Sequence, residues 1–230
     1  MNKTFIKTGT ALLLVSSMTL PLMATEDMLE VDSFEGIELG TGMTGEVVCG
    51  SQNTVTLTAS KSTLDKLEVT VKGGHLEISR HTSASNILNN IFGDDEDRDD
   101  NSISVVIETS SPLLKIVGST GSIIRVDKCA VNSGSMSVEA GTGANIKIEG
   151  TTGTLELELS TGSVFNSSST EFTVDTANVD MSTGSAANLC GASTIIGSAS
   201  TGAEIRASED AMTDDVSLSF GAEVRKKSCR

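Results

Sequence analysis

The sequence lacks the motifs that mark the commonest catalytic centres. It has no P-loop, no dinucleotide-binding fingerprint and no zinc-protease motif. Its only histidines, His75 and His81, are six residues apart and belong to no recognisable motif with a serine or cysteine nucleophile. We therefore expect a protein that is not an enzyme, with no catalytic residue, no metal-binding residue and no cofactor.

Tryptophan and tyrosine are absent and proline occurs only twice, whereas glycine occurs 22 times. No segment after residue 24 has a sustained helical periodicity, while valine, isoleucine and leucine recur in short alternating runs. Together with the abundant serine and threonine, this composition is typical of an all-β protein with many turns. A chain of 230 residues is long enough for one large all-β domain.

The four cysteines include no Cys-x-x-Cys pair, which argues against a structural zinc site. They can form at most two disulfides, in any of three connectivities, and their spacing does not choose between these. An oxidising compartment would permit the bonds. We expect Cys49, Cys129 and Cys190 to fill small buried positions rather than to perform chemistry, and we assign no partner to Cys229.

Positive charge is scarce, with 16 lysines and arginines against 31 acidic residues and a net charge of −15. This balance argues against binding to nucleic acid or to anionic lipid through a general electrostatic field. Cationic partners and divalent metals are the natural exceptions.

Residues 1–24 have the features of a secretory signal peptide. Lys3 and Lys7 form a short positive region, an apolar run begins at residue 11, and Ala24 suits the position before a cleavage site. A retained membrane anchor is the alternative, but serine, threonine and proline interrupt the apolar run. We expect an exported protein that is periplasmic, outer-membrane-associated or extracellular, with no membrane span after cleavage.

The mature chain, residues 25–230, is predicted to be one domain with an insert at 82–102. Residues 34–80 alternate as a run of strands linked by tight turns, one of them at Gly73-Gly74. Residues 94–100 contain six acids in seven positions, which is typical of a solvated loop. A calcium-binding loop is the alternative, although the required spacing of aspartates with a distant glutamate is absent.

From residue 103 onwards a Thr-Gly pair recurs with a period near twenty, which indicates a solenoid. Successive glycines are 22, 19, 22, 18 and 19 residues apart. They follow Thr120, Thr142, Thr161, Thr183, Thr201 and, in a degenerate form, Phe220. A glycine that recurs at one phase indicates a turn, with either a positive φ or a close approach of the next coil.

Alternation within each repeat predicts stacked strands with one face inward. Aligned on the glycine, Ile146, Leu157 and Val179 fall in apolar columns and are expected to be buried. Lys147, Glu158 and Asp180 fall in polar columns and are expected to be exposed. The alternative is a hairpin protein in which strands pair antiparallel with their sequence neighbours and Ser-Thr-Gly only reflects low sequence complexity.

Six short motifs follow one another along the chain: Phe34 to Leu39, Leu64 to Val69, Gly74 to Ile78, Val105 to Ile107, Pro112 to Ile116 and Gly118 to Gly121. This ordered set resembles the auto-transporter adhesin "head GIN" domain family of bacterial envelopes. The resemblance covers roughly residues 30–227, although the acidic run at 94–100 and the four cysteines depart from the family pattern. It implies a β-helical fold and a non-catalytic surface or periplasmic role.

Two stacked stripes are the candidate functional surfaces. Glu139, Glu158 and Asp180 are expected to lie about 5 Å apart along one face, where they form either a solvated acidic surface or a divalent-ion site. The opposite stripe is expected to be solvent-facing and contains Arg125, Lys147, Asn166, Asn188 and Arg206.

From the fold and the resemblance we expect an adhesin-like or structural envelope protein. Its coil faces would bind a protein or a glycan at the cell surface, and an oligomeric state is left open. The alternative is a polysaccharide-active enzyme similar to β-helical lyases, which use Arg or Lys as a base beside acidic calcium ligands. Such an enzyme needs long loops to wall a groove, and coils of 18–22 residues leave no room for them.

Overall fold

The computed structural model describes residues 24–81, 102–166 and 171–229. Of the described residues, 61% lie in strands and 4% in helices, so this part of the chain is nearly all β, as the sequence predicts. The signal peptide predicted at 1–24 and the acidic insert predicted at 82–102 lie outside the described residues, apart from Ala24 and Ser102. Cleavage after Ala24, and the choice between a solvated and a calcium-binding loop, therefore stay predictions.

The strands of the N-terminal region are β1 (Thr25–Glu30), β2 (Gly36–Leu39), β3 (Met43–Cys49), β4 (Thr54–Ala59), β5 (Leu67–Lys72), β6 (His75–Arg80), β7 (Ile103–Thr109), β8 (Lys115–Gly118) and β9 (Ile123–Val126). A short helix, α1 (Lys61–Leu64), links β4 to β5. A 3-10 turn at Lys128–Ala130 leads into the C-terminal region.

The strands of the C-terminal region are β10 (Asn132–Ala140), β11 (Asn145–Ile148), β12 (Gly150–Leu159), β13 (Val164–Phe165), β14 (Phe172–Met181), β15 (Ala186–Leu189), β16 (Ala192–Ala199), β17 (Glu204–Ser208), β18 (Val216–Leu218) and β19 (Glu223–Lys227). Even-numbered strands from β8 onwards lie in a nine-stranded sheet, and odd-numbered strands from β9 onwards lie in a ten-stranded sheet. One coil is a strand of the nine-stranded sheet, a corner and a strand of the ten-stranded sheet.

Successive coils stack in parallel and in register, which confirms the predicted solenoid. In the nine-stranded sheet Val138 pairs with Leu157, and Leu157 pairs with Val179. In the ten-stranded sheet Ile146 pairs with Phe165 in the same way. The hairpin alternative is wrong, because hairpin neighbours would pair antiparallel.

The core consists of apolar columns, each formed by the residues that occupy the same inward position in successive coils. The predicted alternation of buried and outward-facing residues is confirmed. Ile146, Leu157 and Val179 are each at most 2% exposed. Glu158 and Asp180, which alternate with them, are exposed, whereas Lys147 is half-buried because it pairs with a neighbouring glutamate. Each coil thus buries its apolar side chains mainly against the coils above and below.

The Thr-Gly pair forms a four-residue turn at one corner of every coil. In the coil of Thr161, the Ser163 N–H donates to the Ser160 carbonyl at 3.1 Å, and Gly162 has φ of 64°. A positive φ at the third position is the requirement of a type II turn, which glycine meets without strain. A Cβ on Gly162 would meet nothing within 4 Å, so backbone conformation rather than close approach selects glycine there.

The corners stack directly through backbone hydrogen bonds. The Gly143 N–H donates to Thr161 O at 2.9 Å, and the Gly162 N–H donates to Thr183 O at 2.9 Å. The same bond joins Gly42 to Thr120, which places Thr41-Gly42 of the first coil in this column.

The N-terminal region departs from simple stacking. The coil β2–β3 lies between β6–β7 on one side and β8–β9 on the other, so its neighbours both come later in the chain. Outside β6 and β7, strands β5 and β4 run antiparallel to them, and β1 adds antiparallel to β4. The expectation that tight turns link all strands of 34–80 is wrong at one point, because α1 joins β4 to β5 across the two sheets.

Two disulfides link coils at the side opposite the Thr-Gly corner. Cys49 pairs with Cys129, and Cys190 pairs with Cys229. The expectation that Cys49, Cys129 and Cys190 fill buried positions is wrong: the first two are exposed and the third is half-buried. They lie at strand ends, where the chain leaves the core, and this position brings cysteines of different coils within bonding distance.

Candidate binding faces

The acidic column is the most regular polar feature of the nine-stranded sheet. Glu139, Glu158 and Asp180 lie in register on adjacent strands, as predicted. The same outward column continues through Val117 to further acids at Glu38 and Glu77. Adjacent strands are about 4.8 Å apart, so neighbouring carboxylates in the column repel one another. We call Glu38, Glu77, Glu139, Glu158 and Asp180 the acidic column.

Neighbouring side chains ease part of this repulsion. Lys115 Nζ lies 2.5 Å from Glu139 Oε1, with both side chains 37% exposed. The Ser198 hydroxyl donates to Asp180 Oδ1 at 3.1 Å. Glu158 has no such partner among the described residues, so it presents a free carboxylate at the centre of the column.

A shallow depression of about 370 Å³ runs between the acidic column and the Thr-Gly corner. It is open to solvent and has a floor of small residues. Its lining includes Glu139, Glu158, Ser119, Thr120 and Ser160. Carboxylates and hydroxyls of this kind accept and donate hydrogen bonds to a polar partner that lies flat on the sheet.

The second predicted stripe, which we call the basic stripe, lies on the ten-stranded sheet and only partly matches its prediction. It was predicted to contain Arg125, Lys147, Asn166, Asn188 and Arg206. Arg125 is in register with Lys147, and Asn188 is in register with Arg206. The expectation that Asn166 faces solvent in this stripe is wrong, because Asn166 is fully buried and has φ of 49°. This left-handed conformation turns the side chain inward, where its Oδ1 accepts from the Ile148 N–H at 2.7 Å.

Glutamates on the same strands neutralise much of the basic stripe. Lys147 Nζ lies 2.8 Å from Glu149 Oε1, and this hydrogen-bonded lysine lowers the pKa of the Glu149 carboxyl. Arg225 bonds to Glu223 and lies 3.5 Å from Glu204, and these acids raise the pKa of its guanidinium. These pairs lie on a solvated face and supply charge neutralisation rather than an acid and a base poised for catalysis.

The remaining candidates of the sequence do not come together in a site. His75 is exposed at the start of β6, and His81 is exposed with its Nδ1 3.8 Å from Glu68 Oε2. All four cysteines are in disulfides, so none is a free nucleophile. Over the described ranges 24–81, 102–166 and 171–229, no group of three His, Cys, Asp or Glu side chains could hold a metal ion.

Sequence reasoning missed two features of these faces. The pair Thr41-Gly42 stacks with the Thr-Gly corners of the other coils. It lies before residue 103, where the regular period begins, so the period does not reveal it. The residue after the corner glycine is small and buried in five coils, at Ser122, Ala144, Ser163, Ser185 and Ala203. That column was present in the sequence and could have been found by extending the alignment one position.

Parallel stacking, short corners and flat polar faces define the class as a single-chain β-solenoid. A family model described as "Putative auto-transporter adhesin, head GIN domain" matches residues 33–211. The protein belongs to this family, as its resemblance in sequence implied.

Two solved structures with a similar fold are described as putative adhesins. A "putative adhesin" from Bacteroides fragilis has a TM-score of 0.59 at 13% identity, covering 89% of this chain and 95% of that chain. A "putative adhesin" from Parabacteroides merdae has a TM-score of 0.52 at 10% identity, covering 89% of this chain and 96% of that chain. At such identities the likeness shows the fold alone.

Curated proteins gave no match to this chain. Within the part of the chain that the structure describes, no helix has the length and apolar character needed to cross a membrane.

Proposed function

We propose that this protein is an exported, non-catalytic adhesin-like component of the cell envelope that binds a partner protein through the nine-stranded sheet. The observation that carries the proposal is the acidic column, a row of in-register carboxylates on a flat, exposed face beside an open depression. Membership of the adhesin family and the predicted signal peptide support export and a surface role.

A protein partner fits this face better than a glycan does. A sugar ring commonly packs against the large apolar face of an exposed aromatic side chain. Of the phenylalanines that the structure describes, Phe34, Phe165 and Phe172 are buried, and Phe220 is exposed at one end of the solenoid rather than on a face. Basic side chains of a protein could pair with the acidic column at several coils at once. Each such contact adds little affinity, but the matching of charges along the column makes recognition specific.

The enzymatic alternative has no supporting observation among the described residues. The two carboxylates of the depression, Glu139 and Glu158, face a shallow surface with no walls formed by long loops. We therefore assign Glu139 and Glu158 to binding of the partner.

A pull-down from envelope extracts with the purified protein, in parallel with a glycan array, tests the proposal. Reversing two charges of the acidic column with Glu158→Lys and Asp180→Lys should abolish capture of the partner. The matched control is Glu46→Lys, an exposed acid on the ten-stranded sheet, and it should leave capture unchanged. Capture of glycans alone, or equal loss in the control, would contradict a protein partner on this face.

A further inference from the structure

The C-terminal end of the solenoid exposes part of its core. In the last coil, Leu218 pairs with the buried Ala199, and Val224 pairs with the buried Ile205. No described coil stacks on it, and Leu218 is 46% exposed while Val224 is only partly buried. Solenoids usually end in a capping coil with a polar outer face, because an open end exposes the apolar column. We call this surface, formed by β18, β19 and residues 209–215, the C-terminal end face.

Two more apolar side chains flank the same face. Phe220 is 85% exposed at the corner between β18 and β19, and Met212 is 61% exposed before β18. Strands β18 and β19 are also the last strands of the two sheets, so each has one unpaired edge among the described strands. Unpaired edges next to exposed apolar residues are suited to pairing with another chain.

The charges of the C-terminal end face are arranged in two patches of opposite sign. Strand β19 ends with Arg225, Lys226 and Lys227, whereas residues 209–215 include four acids. Lys226 Nζ donates to Ala211 O at 2.8 Å, so both patches lie at the side away from the Thr-Gly corner. The face therefore contains a basic strand and an acidic connection at the same height along the strands.

We propose that the C-terminal end face binds the same face of a second copy across a twofold axis parallel to the strands. Strand β18 runs towards the Thr-Gly corner and β19 runs away from it, so the two are antiparallel. Rotation about this axis exchanges the two sheets and lays β19 of each copy antiparallel to β18 of the other. Lys227 of each copy then lies beside Asp214 and Asp215 of the other copy.

A second copy fits this surface because the surface is complementary to itself. The net charge of −15 makes copies repel in general, so association requires a place where opposite charges meet. At the opposite end of the solenoid, the edge strand β1 of the ten-stranded sheet contributes Glu26, Asp27 and Glu30 and no basic residue. Contact between two identical faces closes on itself, so the product is a dimer rather than a fibre.

Analytical ultracentrifugation of the purified protein over a range of concentrations tests the proposal. We expect a monomer–dimer equilibrium with no larger species. Leu218→Glu should raise the dimer dissociation constant by about tenfold or more, because it places a charge in the apolar centre of the contact. The matched control is Leu114→Glu, since Leu114 is 41% exposed but lies on the side of the solenoid. Circular dichroism should show that both variants keep the fold.

A charge exchange gives the sharper result. Lys227→Glu and Asp215→Lys should each weaken the dimer, and the double variant should restore it, because the pair is re-formed with reversed signs. A protein that stays monomeric at all concentrations would overturn the proposal, and the charges at the edge would then serve only to prevent strand pairing. Equal weakening of the dimer by Leu114→Glu would also overturn it. So would a dimer that is lost only on addition of a reducing agent, since such a dimer would be held by a disulfide between the Cys229 residues of two copies. These variants leave the acidic column intact, so the test is independent of partner binding.

Discussion

The N-terminal region, residues 25–126, and the C-terminal region, residues 132–227, build the same two sheets in different ways. In the C-terminal region each coil stacks on the one before it, and one corner recurs at each level. In the N-terminal region the chain reverses direction at β4 and β5, and the coil β2–β3 is completed only by strands that come later. One solenoid can thus be built by repetition at one end and by reversal at the other.

The two regions also differ in how they end and in what they bury. Antiparallel strands and α1 lie at the N-terminal end, which we call the closed end, whereas no described element lies beyond β18 and β19 at the C-terminal end, which we call the open end. The inward columns contain Ile37, Leu76 and Ile78 at the closed end, whereas near the open end the small Ala199 and Ala207 accompany Ile195 and Ile205. Because larger side chains bury more apolar area, the closed end should contribute more stability for each coil. We therefore expect that the regular repeat is not the most stable part of this fold.

The strongest test of a single continuous core compares two leucines of one inward column. Leu76 is in the N-terminal region and Leu157 in the C-terminal region, and both are at most 1% exposed. Replacing either by alanine should lower the free energy of unfolding by about 2–5 kcal/mol in urea denaturation. Glu158→Ala should have little effect. A large loss for Leu76 and none for Leu157 would mean that the regions unfold separately.

The disulfides provide the next comparison, because each region has one. Replacing either cysteine pair by alanines should lower stability by about 2–4 kcal/mol. Loss of Cys190–Cys229 should speed amide exchange mainly in β16 to β19, since it releases the open end. Loss of Cys49–Cys129, which closes a separation of 80 residues, should affect β3 and β9 instead. Identical exchange patterns in the two variants would contradict this division.

The Thr-Gly corners of the C-terminal region are expected to differ from one another in backbone strain, with a smaller effect on stability. Gly162→Val should destabilise the protein by about 1–3 kcal/mol in thermal melts, because valine resists the positive φ. Gly162→Asn should be milder, since asparagine tolerates the left-handed region. Thr201 itself has φ of 48°, so Thr201→Gly should relieve strain and stabilise by about 1 kcal/mol. Stabilisation by Thr161→Gly as well would show that the two corners do not differ.

The smallest effect concerns the pH dependence of the basic stripe. The pKa of Glu149 is lowered in the folded protein, mainly by its hydrogen bond to Lys147. The pair therefore stabilises the fold fully above the ordinary glutamate value of 4.5, and this contribution is lost as the pH falls through the lowered pKa. In this solvated position it amounts to at most about 0.5 kcal/mol. Glu149→Gln should remove that part of the acid dependence, and an unchanged profile would contradict the assignment.

The sequence allowed prediction of the fold where local signals repeat. The Thr-Gly period and the alternation around Leu157 predicted the stacking, the corner and the buried columns of the C-terminal region. The acidic column could be predicted for the same reason, since residues at one phase of a solenoid lie in register. Its extension to Glu38 and Glu77 could not, because those strands reach the column through a different chain path.

Features that depend on long-range geometry could not be predicted from the sequence. The pairing of Cys49 with Cys129 requires the end of β3 to lie beside the turn after β9, and no local pattern encodes that proximity. Asn166 follows the polar phase of the alternation, but a single left-handed residue reverses the direction of its side chain. Such a change in one φ angle leaves the periodicity of the flanking residues intact.

The disulfide between Cys190 and Cys229 determines how the molecule would carry a mechanical load. A pulling force applied at the C-terminus passes from Cys229 directly through the covalent bond to Cys190. The 38 residues between them, which form the open end with its small core side chains, are bypassed and bear no tension. A protein tethered at its C-terminus would thus resist extension through the coils below β16, while its least protected coils stay slack and folded.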